Sequence, residues 1–156
     1  MFDLYSGKGD KGMTTFFGSQ EHYPKSSLRL ESLGVVDELN AYLGVCKVHA
    51  KDFVKFQVLH KSLYEILEAV QQDLFIIQAE IGGAGERMAE EKIHALEAVI
   101  AALEKEIPPI TTFFISGGTE LAAHFDFART LARRAERRVV AVQEEGIRAI
   151  ADDTRD

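Results

Sequence analysis

The sequence predicts an all-α fold: an up-and-down bundle of four or five helices preceded by an irregular glycine-rich segment. Three observations carry this. Apolar residues recur at three- and four-residue spacing over long segments. Clusters of Gly and Pro, at Gly82-Gly-Ala-Gly85 and Pro108-Pro109, punctuate those segments. Only one run leans toward strand, Thr111-Thr-Phe-Phe-Ile115, and it is too short and isolated to build a sheet.

Residues 1–24 are rich in Gly, Lys, Thr and Ser and carry no helical period. From Ser26 or Ser27 to Ala50, the spacing of Leu33, Val36, Leu39, Leu43 and Cys46 predicts a first helix, with Ser27 as its cap. Phe53, Phe56, Leu59, Leu63, Ile66, Leu67, Val70, Leu74, Ile77 and Ile81 continue the period and predict a second, longer helix that stops at the glycine cluster. A third helix is expected from Glu86 to Glu106, closed by the two prolines. Ser116-Gly-Gly-Thr119 reads as a turn opening a fourth helix that runs to Glu144. The expected organisation is one domain over 1–156, divided into a lead-in (1–24), a bundle (26–145) and a polar tail (146–156).

With 156 residues, 46% of them apolar, the chain has enough material for one sizeable core. Its net charge of -7 argues against nucleic acid and anionic membrane as partners, both of which call for a basic surface. A lone cysteine, Cys46, excludes an internal disulfide and lies in an apolar helical pattern, so a buried small hydrophobe is expected. The N-terminus lacks the basic-then-apolar pattern of a secretory signal, which leads to the expectation of a cytoplasmic protein. The five histidines show no His-x3-His spacing, so no protein-held metal centre is expected.

Charge is concentrated in Arg129-Thr-Leu-Ala-Arg-Arg-Ala-Glu-Arg-Arg138. At about 100° per residue, Arg129, Arg133, Glu136 and Arg137 share one side; Leu131, Ala132, Ala135, Val139 and Val142 share the other. Such a stripe in an acidic chain is either a phosphate site, since guanidinium forks fit phosphate oxygens, or a solvated face with ion pairs such as Glu136 to Arg133. The lead-in adds a second cationic element. Gly7-Lys-Gly-Asp-Lys-Gly12 matches the Gly-x-Gly-x-x-Gly spacing by letter, but no helix pattern follows it, and Met13 stands where a P-loop needs lysine. Closely spaced glycines still let backbone N–H groups approach an anion, with Lys8, Lys11, Thr14 and Thr15 as further donors. The alternative is a merely flexible terminus.

Four segments together resemble one family, the ATP:cob(I)alamin adenosyltransferases of the trimeric helical-bundle type. They are Tyr5-Ser-Gly-Lys-Gly-Asp-Lys-Gly-Met-Thr14, Pro24-Lys25 through Glu31-Ser-Leu-Gly-Val-Val-Asp-Glu-Leu-Asn40, Gln72-Asp-Leu-Phe75, and Gly117-Gly-Thr through Ala128-Arg-Thr-Leu-Ala-Arg-Arg-Ala-Glu-Arg137. The resemblance implies transfer of the 5′-deoxyadenosyl group of ATP to reduced cobalamin, at sites between the subunits of a homotrimer, with magnesium carried by the ATP. It implies an ATP site made of Ser6, Gly7, Lys8, Gly9, Asp10, Gly12, Thr14, Thr15, Lys25, Arg133, Arg134, Glu136 and Arg137. It further implies a pairing of Asp37 with Arg129 across the interface, the two acting with Arg133 in catalysis, and Phe113 packed beneath the corrin. From the residues alone, Asp37 reads equally as an ordinary exposed acid, Lys25 as a surface lysine and Phe113 as core.

This sequence departs from the family's pattern at several positions. Ser6 and Lys8 stand where threonines are usual, Ser116 where a proline is usual and Asp126 where a histidine is usual. The sequence also ends at Asp156, before the further helix with a Leu-Asn-Arg-Leu-Ser-like motif that the family normally carries, which reads either as a shortened or divergent chain or as a truncated one. The competing functional readings are a catalytically impaired nucleotide- or corrinoid-binding relative acting as carrier or regulator, and a purely structural helical oligomer.

Overall fold

A computed structural model describes residue 7, residues 9–53 and residues 55–146. In chain order the elements are β1 (Met13–Thr14), β2 (Tyr23–Pro24), α1 (Leu28–Ala50), a 3-10 turn at Lys51–Phe53, β3 (Gln57–Val58), β4 (Lys61–Ser62), α2 (Leu63–Gly82), α3 (Glu90–Glu104) and α4 (Glu120–Glu144). The chain is mostly helical, with four α-helices among the described residues.

α1 is the central element. Val35, Val36, Leu39, Leu43 and Cys46 form its buried stripe and meet Leu67, Leu74 and Ile81 of α2 on one flank. On the other flank they meet Ala128, Leu131, Ala135, Val139 and Val142 of α4. Each large side chain so buried contributes about 1.5–3 kcal/mol, which is what holds three helices of modest intrinsic propensity together. Polar contacts set the register. Gln71 Nε2 donates to the Asn40 carbonyl (2.9 Å) and Asn40 Nδ2 donates to the Gln71 carbonyl (3.3 Å), a reciprocal clamp between α1 and α2. At the start of α1, Arg29 Nε donates to the carbonyl of Ile81 at 2.7 Å, so α2 runs antiparallel to α1. α4 does so too, with Arg138 3.8 Å from Glu31 at one end and Tyr42 bonded to His124 toward the other. α3 lies against α2, where Lys92 bonds Asp73.

Helix ends mostly follow the expected chemistry. α2 stops at Gly83, which adopts φ 102°, a left-handed cap that favours glycine. α4 begins after Thr119, whose side chain accepts from the Ala122 amide at 3.2 Å. Ser27 sits at the cap position of α1, but its side chain makes no capping bond.

Two helix starts require correction. The second helix begins at Leu63 rather than near Phe53, because residues 57–62 fold back as the β3–β4 hairpin. Leu59 (φ 50°) and His60 (φ 64°) form its left-handed turn, and Phe53, Phe56 and Leu59 are exposed rather than part of a helix stripe. The third helix begins at Glu90 rather than Glu86. The run Thr111–Ile115, read from the sequence as too short and isolated to build a sheet, forms no strand. The lead-in, by contrast, contains a small ladder pairing Met13 with Pro24 and Thr14 with Tyr23. Of the tail, only Gly146 lies within the described residues.

Candidate functional site

The lead-in is built as a glycine cradle. The Asp10 amide donates to the Gly7 carbonyl and the Gly12 amide to the Gly9 carbonyl, both at 3.2 Å, giving two consecutive turns. Gly12 has φ 75°, a conformation that a side chain resists. The Lys25 amide then donates to the Gly12 carbonyl at 2.9 Å, which returns the chain beside its own start. The Lys25 ammonium rests against Gly9, so that a Cβ added there would lie 2.9 Å from Nζ. Any residue but glycine at position 9 displaces that cation. Asp10, Thr14 and Thr15 line the same turn and ladder, with Thr14 half-buried and Thr15 exposed. Ser6 and Lys8 lie outside the described residues.

This cradle is anchored to the bundle. The Phe17 amide donates to the Gly82 carbonyl at 3.1 Å. The Arg29 guanidinium lies 3.6 Å above the ring of buried Phe16, which packs edge-on against Tyr23 at 4.8 Å. The phosphate-type donors of the lead-in are therefore fixed at the end where α1 starts and α2 stops.

The arginine helix presents its charges along an open groove of about 500 Å³. Val36, Leu39, Leu74 and Ile77 make its apolar floor, and Arg129, Arg133 and Glu136 stand on its rim. The sequence-expected ion pair is present, with Arg133 Nη1 3.9 Å from Glu136 Oε2. Arg134 bonds Glu38 of α1, Arg138 pairs with Glu31, and Arg137 is exposed. Ala132, expected on the buried side, is instead exposed at the groove.

Within one chain, Asp37 and Arg129 are not partners. Asp37 accepts from Gln78 Nε2 at 3.1 Å on the outer face of α1 and α2, beside exposed Phe75. Arg129 pairs with Asp126 at 3.8 Å. Phe113 is fully exposed, as is Ile115, with Phe114 and Ile110 also largely open to solvent; Phe113 is not a core residue of this chain.

The chain is similar to known proteins in sequence and in fold. The family model described as Cobalamin adenosyltransferase matches residues 4–154, nearly the whole chain and all four segments discussed above. The chain belongs to the cobalamin adenosyltransferase family. It is 39% identical over 149 residues to the corrinoid adenosyltransferase PduO of Salmonella typhimurium, covering 91% of this chain and 42% of that protein. It is 37% identical over 143 residues to a corrinoid adenosyltransferase of Bacillus subtilis, covering 89% of this chain and 71% of the relative. The chain thus spans less than half the length of the Salmonella relative. Among solved structures it resembles a variant PduO-type ATP:corrinoid adenosyltransferase from Lactobacillus reuteri complexed with cobalamin and ATP. The TM-score is 0.82 at 29% identity, over 98% of this chain and 83% of that one.

One further cluster lies outside the cradle and the arginine stripe. His49 from the last turn of α1 and His124 from α4 stack at 4.7 Å between ring centroids, and Glu120 completes a group whose ligand atoms lie within 4.8 Å of one another. The Glu120-x3-His124 spacing was visible in the sequence. The third member, on another helix, was not. Cys46 is completely buried, and burial pushes its thiol pKa up, which makes it inert in the folded chain.

Proposed function

We propose that this chain transfers the 5′-deoxyadenosyl group of ATP to the cobalt of reduced cobalamin, releasing triphosphate. In that reaction the C5′–O bond of ATP breaks and a carbon–cobalt bond forms. The observation that carries the reading is the Lys25 ammonium held against Gly9 in the glycine cradle, a ready-made anion seat on a chain of the cobalamin adenosyltransferase family. The known complex with cobalamin and ATP in the Lactobacillus relative supports the choice of substrates.

Reduced cobalt is itself a strong nucleophile, so the protein needs no general base. Its tasks are alignment of C5′ and stabilisation of charge on the departing triphosphate. We assign the second task to Gly7, Gly9, Asp10, Gly12, Thr14, Thr15 and Lys25, with Ser6 and Lys8 beside them in sequence. Arg133, Arg134, Glu136 and Arg137 complete the site. Backbone amides and guanidinium forks suit phosphate oxygens without any proton transfer. Magnesium carried by the nucleotide would neutralise part of the phosphate charge. Phe113 is the apolar floor beneath the corrin; its full exposure leaves it free to meet a large flat ligand and to exclude water from the metal's lower face.

We further propose a homotrimer in which Asp37 of one subunit pairs with Arg129 of the next. Both side chains are exposed, on different faces of the chain, and the intrachain pairing of Arg129 with Asp126 is a surface contact of little strength. A reducing, cytoplasmic setting is part of the proposal, since reduced cobalt calls for it. Recovery of the protein from an oxidising compartment on cell fractionation would overturn that setting.

The deciding experiment mixes the protein with ATP, magnesium and chemically reduced cobalamin, anaerobically and in the dark, and follows the visible spectrum. Formation of adenosylcobalamin is expected. Saturable ATP binding without product would replace the enzyme by a nucleotide- or corrinoid-binding carrier, and absence of ATP binding would leave only a structural oligomer.

A further inference from the structure

The His49–Glu120–His124 cluster lies apart from the cradle, at the end of the α1–α4 pair remote from Glu31 and Arg138. Glu120 and His124 are four residues apart on α4 and so share one face of that helix. His49 comes from the antiparallel α1, whose last turn brings its imidazole over that of His124, with centroids 4.7 Å apart and rings inclined by 29°. Two half-buried imidazoles and an exposed carboxylate thus offer one ligand atom each, all within 4.8 Å of one another.

Ligand atoms about 2.0–2.1 Å from a tetrahedral zinc lie about 3.4 Å from each other, so to close on an ion the three side chains draw together and the stacked imidazoles rotate until their in-plane lone pairs converge. A further partner orients one ligand. Tyr42 Oη lies 2.9 Å from His124 Nδ1 and occupies that nitrogen. The Tyr42 ring is itself fixed edge-on against Phe127 at 4.8 Å. An ion at Nε2 requires the tautomer in which Nδ1–H donates to the Tyr42 oxygen, the outer-shell arrangement that holds a histidine ligand in place.

We propose that His49, Glu120 and His124 form a binding site for a divalent late transition-metal ion of the zinc type, with Tyr42 as the positioning residue of His124. Two nitrogens and one carboxylate oxygen suit such an ion rather than magnesium or calcium, which take all-oxygen shells. The fourth coordination position would be taken by water. Bound there, the ion cross-links the C-terminal turn of α1 to the N-terminal turn of α4.

The test uses untagged, chelator-treated full-length protein without nucleotide or corrinoid, titrated calorimetrically with zinc chloride alone. One ion per chain is expected, together with a zinc-dependent rise in melting temperature. His49→Ala and His124→Ala should each weaken zinc binding at least about tenfold, and Tyr42→Phe should weaken it less. If circular dichroism shows that the histidine variants fail to fold, Glu120→Gln, on an exposed side chain, decides in their place and should lower the affinity. No saturable binding to the folded native chain overturns the proposal. So does an affinity left unchanged by any of the three ligand substitutions in a folded variant.

Discussion

Asp37, on an exposed surface, accepts a hydrogen bond from Gln78 at 3.1 Å through one carboxylate oxygen, which ties α1 to α2. This geometry separates two roles for the same acid. If Asp37 serves only the α1–α2 contact, Asp37→Ala and Gln78→Ala should behave alike. If it also pairs with Arg129 of a neighbouring subunit, only Asp37→Ala should shift assembly, raising the dissociation constant of the trimer by about tenfold, or ~1.4 kcal/mol. Sedimentation of both variants over a concentration series distinguishes the cases, and equal behaviour would remove Asp37 from the interface.

Lys25 and Arg133 are assigned to one triphosphate from opposite parts of the chain. Replacing either by Ala should weaken ATP binding by about 1.5–3 kcal/mol, the usual worth of a charge-assisted bond. Both side chains are exposed, so melting temperatures should change little. Calorimetric titration with ATP measures the effect, and unchanged affinity in both variants would cancel these assignments. Gly9→Ala should weaken ATP binding less than Lys25→Ala, because the added methyl group shifts the flexible lysine tip but leaves its charge in place.

Phe113→Ala should leave both fold and ATP affinity intact, since the ring touches nothing that holds the chain together. Transfer to cobalamin should nevertheless slow. A rate equal to that of the native protein would strip Phe113 of its role beneath the corrin.

Ser62 and Glu65 open α2 with a reciprocal cap: the Ser62 oxygen accepts from the Glu65 amide, and the Glu65 carboxylate accepts from the Ser62 amide at 2.8 Å. The Ser62 hydroxyl, and then its backbone N–H, hold the Glu65 carboxyl below its ordinary value of 4.5. A carboxyl with a depressed folded pKa adds stability that is fully present above the ordinary value and fades as pH falls through the lowered one. Ser62→Ala, which removes the cap, should lower the melting temperature at neutral pH. Its melting-temperature deficit should shrink on acidification below about pH 4. A deficit that is independent of pH would mean that the carboxylate plays no part in the cap.

The helical periods of α1 and α4 were legible in the sequence because each buries one continuous stripe against the other. The start of α2 was not. Phe53, Phe56 and Leu59 keep a helical rhythm, yet Leu59 and His60 take left-handed conformations without the Gly or Asn that normally announces such a turn. The β1–β2 ladder escaped for another reason: two residues per strand leave no periodic trace, and their pairing is set by the return of Lys25 onto Gly12. At the candidate site, the residue types and their order could be read in advance. What could not be read is that α2 and α4 flank α1, which places Arg129, Arg133 and Glu136 over an aliphatic floor supplied by Val36, Leu39, Leu74 and Ile77.

Cys46 has no solvent-exposed surface and lies amid the contacts of α1. A thiol reagent can reach it only when the three helices part, so alkylation of this single thiol would count openings of the whole bundle rather than local fraying. The chain thereby carries its own unfolding clock, readable by mass in unmodified protein, and any ligand that grips the folded form should make that clock run slower.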